Sequence, residues 1–280
     1  MPVLYCRPVN NLANRMMSIV SAWRLARLWS YEFCLIWDWG PETLFANAYE
    51  DLFVCDFAVQ RDFSHQRHNL HLPARNDNGR HFYRKPDLAQ DVFLSGWGHM
   101  TLCEDDRSLS PQEITTQLRA CFAALFVPKS TVTQCCENLG YRDQRFDFGI
   151  HVRRGAAEFD RISTNAQLLQ IAVGILTQGG FKSFFVASTE PASADYFGLK
   201  LRAHGDVFVS RGYNNEPSFR NHALAIYDLL FFSRCREIMK TGATTFSSLA
   251  GLMGAAILNT VNEQGVCIKH PALYSVGAGL

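Results

Sequence analysis

The first forty residues alternate between short apolar runs and a longer amphipathic segment. Residues 3–6 form an apolar run that predicts a buried strand. After a polar loop, apolar side chains recur every three or four positions across residues 16–28, which is the spacing of an amphipathic helix. Residues 33–37 form a second apolar run. This strand–helix–strand order is a βαβ unit, so we expect a parallel sheet.

The middle of the chain is more polar. Residues 61–91 are rich in His, Asn and Arg, so we expect a long loop there. Residues 92–95 predict a strand, and residues 111–126 predict a helix with one apolar face. Turn-forming residues make 128–145 a candidate hinge. The chain therefore divides into a predicted N-terminal domain, 1–140, and a predicted C-terminal domain, 141–280.

The second half restarts the alternation of strands and helices. The predicted strands are 146–152, 183–187, 207–210 and 237–241. The predicted helices are 165–177, 195–204, 223–233 and 247–258. Because both halves alternate in this way, we expect an α/β protein with two Rossmann-like domains that face one cleft.

Composition and charge narrow the class of protein. The 280-residue chain is 48% hydrophobic and 19% charged, which excludes intrinsic disorder of the whole chain. Its net charge of +1 gives no general field for holding nucleic acid or an anionic membrane. We therefore expect neither as a partner, and any anionic ligand must be held by a few placed arginines.

The sequence shows no targeting or membrane segment. The first apolar run is interrupted by Arg7 and Pro8, unlike the core of a signal peptide. No apolar stretch reaches the roughly twenty residues of a transmembrane helix. The nine cysteines form no CxxC pair, which favours reduced thiols over a zinc ribbon or disulfides. We expect a cytoplasmic protein without an integral membrane segment.

The first candidate for chemistry is the sequence IHVRRG at 150–155, where a predicted strand ends. Ligands of open α/β sheets bind at such strand ends. Arg153 and Arg154 can pair with phosphate oxygens through their planar guanidinium groups, and Gly155 lets backbone N–H groups approach the same anion. The alternative is two solvated arginines followed by a structural turn.

A second candidate lies in the two last predicted helices. Residues 244–248 (TTFSS) gather hydroxyls at a helix N-terminus, where orphan N–H groups and the positive end of the dipole attract an anion. Simple N-capping explains one of these hydroxyls but not four. Asp228 can accept both N–H groups of a guanine edge. The alternative for Asp228 is a polar residue on the solvated side of its helix.

These motifs resemble the donor-site motifs of the fucosyltransferase superfamily, which includes α1,2-, α1,6- and protein O-fucosyltransferases. The nodulation-type bacterial enzymes are the most similar in pattern. The matches follow the family order over most of the chain: NLANRMM at 11–17 (for the GLGNQMF opening), SAWRLAR at 21–27, IWDW at 36–39, LSGWGH at 94–99, HVRRG at 151–155, FVAST at 185–189, Asp228 and TFSSLA at 245–250.

The resemblance implies a GT-B-type enzyme that transfers L-fucose from GDP-fucose to a glycan or lipid-linked oligosaccharide acceptor. Arg153 would hold the β-phosphate, His151 would line the nucleotide site, and Asp228 would bind the guanine edge. Asn14 would approach the sugar from the acceptor-side N-terminal domain. Arg154 would bind the donor or support its loop through internal carboxylates. The pyrophosphate contacts would come from Thr245, Phe246, Ser247 and Ser248.

The expected reaction inverts the anomeric carbon, because a β-linked GDP-sugar would give an α-linked product. A carboxylate or a water chain must then take the acceptor proton. Glu158 and Asp160 are the candidate bases, near the place where the α1,6 enzymes carry a catalytic Glu; the alternative is two solvated loop carboxylates. Asp105 and Asp106 precede a helix that they can cap. We expect no metal, and no cofactor besides the donor substrate.

Departures from the family pattern leave other functions open. Ala156 stands where family members commonly carry an acidic residue, and Asn10, Asn11 and Ala13 replace the opening glycines. These changes fit a transferase for another GDP-sugar, or a pseudoenzyme that binds a GDP-sugar or glycan without turnover. A further alternative is a zinc-binding module at the HxxHxxH segment 65–71, although that spacing fans the rings around a helix and the segment is a predicted loop.

Overall fold

The protein is described by a computed structural model that covers residues 1–40, 43–61, 75–77, 80–86, 90–96, 102–154, 163–211, 217–242 and 244–272. The chain divides into two compact units. Unit 1 contains Met1–Val132 and the short stretch Pro217–Phe219, and unit 2 begins at Thr133. The boundary predicted from the sequence lies slightly later, between residues 140 and 141.

Unit 1 is built around a four-stranded parallel sheet. Its strands are β1 (Val3–Pro8), β2 (Glu32–Ile36), β3 (Ala58–Gln60) and β6 (Val92–Gly96), in the order β3-β2-β1-β6. Helix α1 (Leu12–Trp29) connects β1 to β2. It begins where Asn11 Oδ1 accepts a hydrogen bond of 3.4 Å from the Asn14 N–H. The predicted βαβ unit and parallel sheet are confirmed.

Shorter elements complete unit 1. They are α2 (Tyr49–Leu52), the strands β4 (Arg75–Asp77), β5 (Arg80–Tyr83) and β7 (Leu102–Cys103), a 3₁₀ turn (Glu104–Ser108) and α3 (Pro111–Leu125). Strands β4 and β5 correct the expectation of a continuous loop at 61–91. Helix α4 (Ser130–Glu137) occupies part of the predicted hinge, which is therefore not a simple turn.

Unit 2 contains a six-stranded sheet in which strand order reverses beside its first strand. The strands are β8 (Phe146–Val152), β9 (Ser183–Ser188), β10 (Asp206–Val209), β11 (Cys235–Thr241), β12 (Ile257–Val261) and β13 (Cys267–Pro271). Their order is β10-β9-β8-β11-β12-β13, and only β13 pairs antiparallel. This doubly wound order has its switch point between β8 and β11, where such sheets bind ligands.

Helices cover both faces of this sheet. The helices are α5 (Asn165–Gly179), α6 (Pro191–Leu201), α7 (Phe219–Ser233) and α8 (Thr245–Gly254). On one face, Phe148 and Val152 of β8 pack with α5 and α6. On the other face, Phe232 of α7 lies against β8 at Gly149, where an added Cβ would come within 2.7 Å of the Phe232 ring. Phe231 and Phe232 are fully buried, so this part of α7 belongs to the hydrophobic core.

The end of the chain corrects one predicted helix. Helix α8 ends at Gly254, Ala255 adopts a left-handed conformation (φ 62°), and β12 begins at Ile257, so the prediction of one helix over 247–258 is wrong. The sequence from Leu249 to Leu258 is apolar on all sides. It therefore lacks the periodicity that separates a helix end from a buried strand. Strand β13 was not predicted.

Two observations bear on membranes and disulfides. No helix in the described part of the chain has the length and hydropathy needed to cross a bilayer. All nine cysteines are unpaired thiols.

Candidate functional site

The switch point of unit 2 brings the RRG motif beside the start of α8. Arg153 directly follows β8, and Thr241 ends the neighbouring β11. The Arg153 backbone N–H donates a 3.1 Å hydrogen bond to Thr241 Oγ1, which fixes the first residue of the loop to the adjacent strand. The Arg153 side chain is half-buried. The Arg153 backbone is thus held at the carboxyl edge of the sheet, beside the connection from β11 to α8.

The hydroxyls at the start of α8 do not cap the helix. Thr244 is the N-cap residue, but its side chain accepts no backbone N–H of the helix. Thr244 Oγ1 and Ser247 Oγ instead form a hydrogen bond of 2.7 Å with each other. The first N–H groups of any α-helix lack a carbonyl partner within the helix and lie at the positive end of its dipole. Thr245 and Phe246, in this first turn, are half-buried.

His151 is a buried, neutral component of the same cluster. Its Nδ1 lies 3.1 Å from Ser247 Oγ, and its ring packs against Phe232 and Phe246. Burial, followed by the positive charges of Arg153 and Lys240, lowers the pKa of His151 to about 3. The imidazole therefore carries no charge at neutral pH. It can orient Ser247 through a hydrogen bond, but it adds nothing to the positive potential of the site.

Lys240 was not recognised in the sequence analysis. It lies on β11 beside His151 of β8, is 4% exposed, and its Nζ donates a hydrogen bond to Ser248 Oγ. Burial lowers the pKa of Lys240 to about 8. A lysine that directly follows Ile238 and Met239 in the predicted strand 237–241 is a signal that could have identified it, because lysine is rarely buried without a partner.

Arg154 points toward α5. Its Nη2 donates to Ser163 O at 2.6 Å and to Asn165 Oδ1 at 2.8 Å, while its backbone N–H donates to Thr189 Oγ1 at 2.8 Å. Arg154, Ser163, Thr164 and Asn165 line a shallow pocket of about 260 Å³. The described partners are thus an amide and a carbonyl, and these contacts hold the start of the loop against α5.

Asp228 is buried inside unit 2. It is 4% exposed, and its two oxygens accept hydrogen bonds of 2.7 Å from Tyr141 Oη and Ser210 Oγ. The interpretation of Asp228 as a solvated side chain is therefore wrong. Burial raises its pKa to about 7, although the two hydroxyl hydrogen bonds act in the opposite direction. Each oxygen retains a second lone pair for a ligand N–H.

Several predicted site residues are not brought into this cluster. Glu158 and Asp160 lie outside the described residues, as do Ala156 and the HxxHxxH segment at 65–71. Asn14 belongs to unit 1, where it is half-buried in the first turn of α1.

The Asp105–Asp106 pair does not cap α3, the helix that it was predicted to cap; Asp106 instead accepts a 2.7 Å hydrogen bond from the Cys103 N–H at the start of the 3₁₀ turn. Helix α3 is capped by Ser110, whose Oγ accepts from the Glu113 N–H at 3.2 Å. Asp106 is buried and accepts a 2.7 Å hydrogen bond from Arg24 Nη1. Within the described ranges, no three His, Cys, Asp or Glu side chains are close enough to hold a metal ion. The absence of a metal from the reaction stays a prediction.

Comparisons with known proteins identify the fold. No protein-family model matches the sequence, and no curated protein matches it. Among solved structures, NodZ α-1,6-fucosyltransferase soaked with GDP-fucose matches with a TM-score of 0.62 and 15% identity, over 96% of this chain and 99% of that one. NodZ from Bradyrhizobium gives a TM-score of 0.61 and 14% identity, over 97% of this chain and 99% of that one.

Two further structures match in the same way. FUT1 of Arabidopsis thaliana in complex with GDP has a TM-score of 0.61 and 12% identity, over 92% of this chain and 70% of that one. POFUT1 in complex with GDP has a TM-score of 0.51 and 12% identity, over 92% of this chain and 98% of that one. The chain therefore has the GT-B-type α/β fold of these fucosyltransferases, which confirms the predicted fold class. At such identities the reaction must be argued from the site.

Proposed function

We propose that the protein is a glycosyltransferase that binds GDP-fucose in unit 2 and transfers L-fucose to a glycan acceptor. The observation that supports this most directly is the convergence at the β8–β11 switch point. Arg153 follows β8, and the uncapped start of α8 follows the adjacent strand β11. Both therefore lie at the edge where doubly wound sheets bind nucleotides. The proteins of the same fold include NodZ soaked with GDP-fucose and FUT1 and POFUT1 in complex with GDP.

The diphosphate would lie between Arg153 and the first turn of α8. Its oxygens need several donors and compensating positive charge, and this edge supplies a guanidinium, helix N–H groups and the dipole of α8. Thr245 and Phe246 are half-buried in the first turn, where they would contact the diphosphate. Ser247 is fully buried and bonded to His151 and Thr244, so it would shape the turn more than touch solvent.

The guanine would be bound by Asp228. Ser210 directly follows β10, so the hydroxyl that holds Asp228 lies at the same carboxyl edge of the sheet as Arg153. Tyr141 and Ser210 hold the carboxylate in one orientation, which suits recognition of two N–H groups on one base edge. Ligand N–H donors would favour the charged form of Asp228 and lower its raised pKa.

The chemistry would be an inverting displacement. The acceptor hydroxyl would attack the anomeric carbon, a carboxylate would take its proton, and the bond to GDP would break. Glu158 and Asp160 remain the candidate bases. The positive charge of Arg153 and the dipole of α8 would stabilise the departing diphosphate, which is the task that a metal ion performs in other enzymes. Asn14 and unit 1 would serve the glycan or lipid-linked oligosaccharide acceptor.

The proposal is tested by calorimetric titration with GDP-fucose in EDTA, with GDP-mannose as the comparison. We expect saturable binding that prefers GDP-fucose and is unchanged by the chelator. Binding that disappears in EDTA would contradict metal independence. A preference for GDP-mannose would make the protein a transferase for another GDP-sugar, and binding of neither nucleotide would contradict the proposed function.

A further inference from the structure

Lys240 is buried at the back of the proposed diphosphate site. On the inner side of α8, the strand register places it between His151 of β8 and Thr260 of β12. Its Nζ donates to Ser248 Oγ, which belongs to the first turns of α8. A lysine at 4% exposure is normally paired with a carboxylate, because an uncompensated buried charge is costly. Here the hydrogen-bond partner is a hydroxyl.

The charged groups around Lys240 do not compensate its positive charge. Among the residues that the structure describes, no carboxylate forms an ion pair with Lys240. From β8, His151 is neutral and Arg153 is positive. Helix α8 and strand β12 contain no charged residue. On β13, His270 hydrogen-bonds Thr260 at 3.0 Å and is the titratable group on that side.

The position of Lys240 is also unfavourable with respect to α8. Cations stabilise the C-terminal end of a helix, whereas Lys240 bonds a serine near the N-terminal end, where the dipole is already positive. Without a ligand, burial lowers the pKa of Lys240 to about 8, so the neutral amine predominates above that pH. An anion at the start of α8 reverses this balance, because it attracts the dipole and the ammonium together.

We propose that Lys240 is a positioning residue of the diphosphate site that takes up a proton from solvent when a nucleoside diphosphate binds. The charged Nζ then acts through Ser248 and the first turn of α8 to support the diphosphate, both when it is bound and when it departs. No other bond is made or broken in this step. The inference rests on the proposed function, since it needs a diphosphate at α8.

The test is calorimetric titration with GDP at pH 8.5 in two buffers that differ in ionisation enthalpy. At this pH the terminal phosphate of GDP is fully ionised, so the phosphate groups contribute no proton change of their own. The wild-type protein should take up about half a proton or more per GDP, because the free amine is mostly neutral there. Lys240→Met should bind GDP more weakly and take up correspondingly less. Lys269→Met is the matched control, because Lys269 is a half-exposed lysine of the same sheet paired with Glu237.

A second measurement separates this role from a structural one. Lys240→Met should be at least as stable as the wild type without ligand, because it removes an uncompensated buried charge. Above pH 8, the affinity of the wild type for GDP should decrease with rising pH, by up to about tenfold per unit. The affinity of Lys240→Met should not show this decrease. If Lys240→Met fails to fold, Lys240→Gln serves the same comparison.

The outcomes distinguish this inference from the proposed function. Binding of GDP by the wild type without proton uptake at pH 8.5 would overturn the role of Lys240 and leave the nucleotide site intact. Equal proton uptake by wild type and Lys240→Met would do the same. Absence of GDP binding by the wild type would contradict the proposed function itself.

Discussion

Arg24 of unit 1 and Lys240 of unit 2 are both buried cations, and their charges are compensated differently. In unit 1, Arg24 lies against Asp106, and the two side chains are 6% and 2% exposed. Burial acts to lower the pKa of Arg24, but the hydrogen bond and the charge of Asp106 outweigh it and raise the pKa. In unit 2, Lys240 is similarly buried but bonds only a hydroxyl among its described contacts, and its pKa is lowered.

The starts of two helices differ in the same way. In unit 1, α3 begins with a capping box, in which the Glu113 carboxylate accepts from the Ser110 N–H at 2.7 Å and the Ser110 Oγ accepts from the Glu113 N–H. In unit 2, the side chain of the N-cap residue Thr244 accepts no hydrogen bond from the backbone N–H groups of α8, so the start of this helix is uncapped. Because capping satisfies N–H groups that a ligand would otherwise bind, the uncapped helix is the one suited to an anion.

These differences distinguish groups that we expect to stabilise the fold from groups that we expect to bind a ligand. Arg24 and Ser110 have their partners within the chain, so their removal should cost stability. Lys240 and the first turn of α8 lack a compensating negative charge among the described residues, so their removal should cost ligand affinity. Stability and GDP affinity are therefore expected to respond to different substitutions.

The largest expected effect is on stability. Asp106→Ala removes the carboxylate and leaves the buried Arg24 guanidinium uncompensated, so the free energy of unfolding should fall by about 3–5 kcal/mol. Urea unfolding measures this loss. The control is Asp143→Ala, since Asp143 is 92% exposed and pairs at 2.9 Å with Arg234, and such a surface pair contributes about 0–1 kcal/mol. Similar losses in the two variants would show that Arg24 is not the uncompensated charge that we infer.

The next effect is on ligand affinity. Arg153→Ala should weaken GDP-fucose binding by about 2–5 kcal/mol, roughly 30-fold or more, because the bound phosphate would lose a charge-assisted partner. Calorimetric titration measures it. Arg236→Ala is the matched control, because Arg236 lies on β11 near the opposite end of the strand and is 71% exposed. Unchanged affinity in Arg153→Ala would remove Arg153 from the donor site.

The pH dependence of stability should reveal Lys240 in the absence of ligand. The amine has an ordinary pKa of 10.5 and a lowered pKa of about 8 in the folded protein. Between these values the unfolded state binds more protons at Lys240, so this residue should raise the free energy of unfolding with pH. Buried thiols such as Cys235 have raised pKa values and act in the opposite direction, so the quantity to compare is the difference between the profiles of the wild type and Lys240→Met. That difference should change by about 3 kcal/mol, in favour of the wild type, as the pH rises from 8 to 10.5. Parallel pH profiles for the two proteins would contradict the lowered pKa.

The sequence predicted most of the framework because its strands and helices have strong local patterns. Strand β8 was predicted with its observed bounds, and the periodicity at 16–28 correctly indicated α1. The prediction failed after Leu249, where an apolar run lacks a period and a left-handed Ala255 separates helix from strand. It also missed α4, because the turn-forming residues of 128–145 concealed a short helix.

The sequence identified several residues that lie close together in the structure, but it did not identify their partners. Motif spacing identified His151, Arg153 and the TTFSS cluster, which the sheet order brings to one edge. No local pattern could show that Ser247 bonds His151, because these residues lie 96 positions apart. Lys240 and Ser248 are only eight positions apart, but their contact depends on how α8 packs against β11. Burial of Asp228 depends likewise on Tyr141, 87 residues away.

The smallest expected effect contrasts the two helix starts directly. Ser110→Ala removes the acceptor of the Glu113 N–H, so the free energy of unfolding should fall by about 1 kcal/mol while GDP affinity is unchanged. Thr244→Ala breaks the hydrogen bond that orients Ser247 in the first turn of α8, so GDP affinity should fall. Both variants are measured by urea unfolding and by titration with GDP. If Thr244→Ala changed stability alone, as Ser110→Ala is expected to do, the start of α8 would be a structural feature like that of α3, and the diphosphate would have to be held by Arg153 without it.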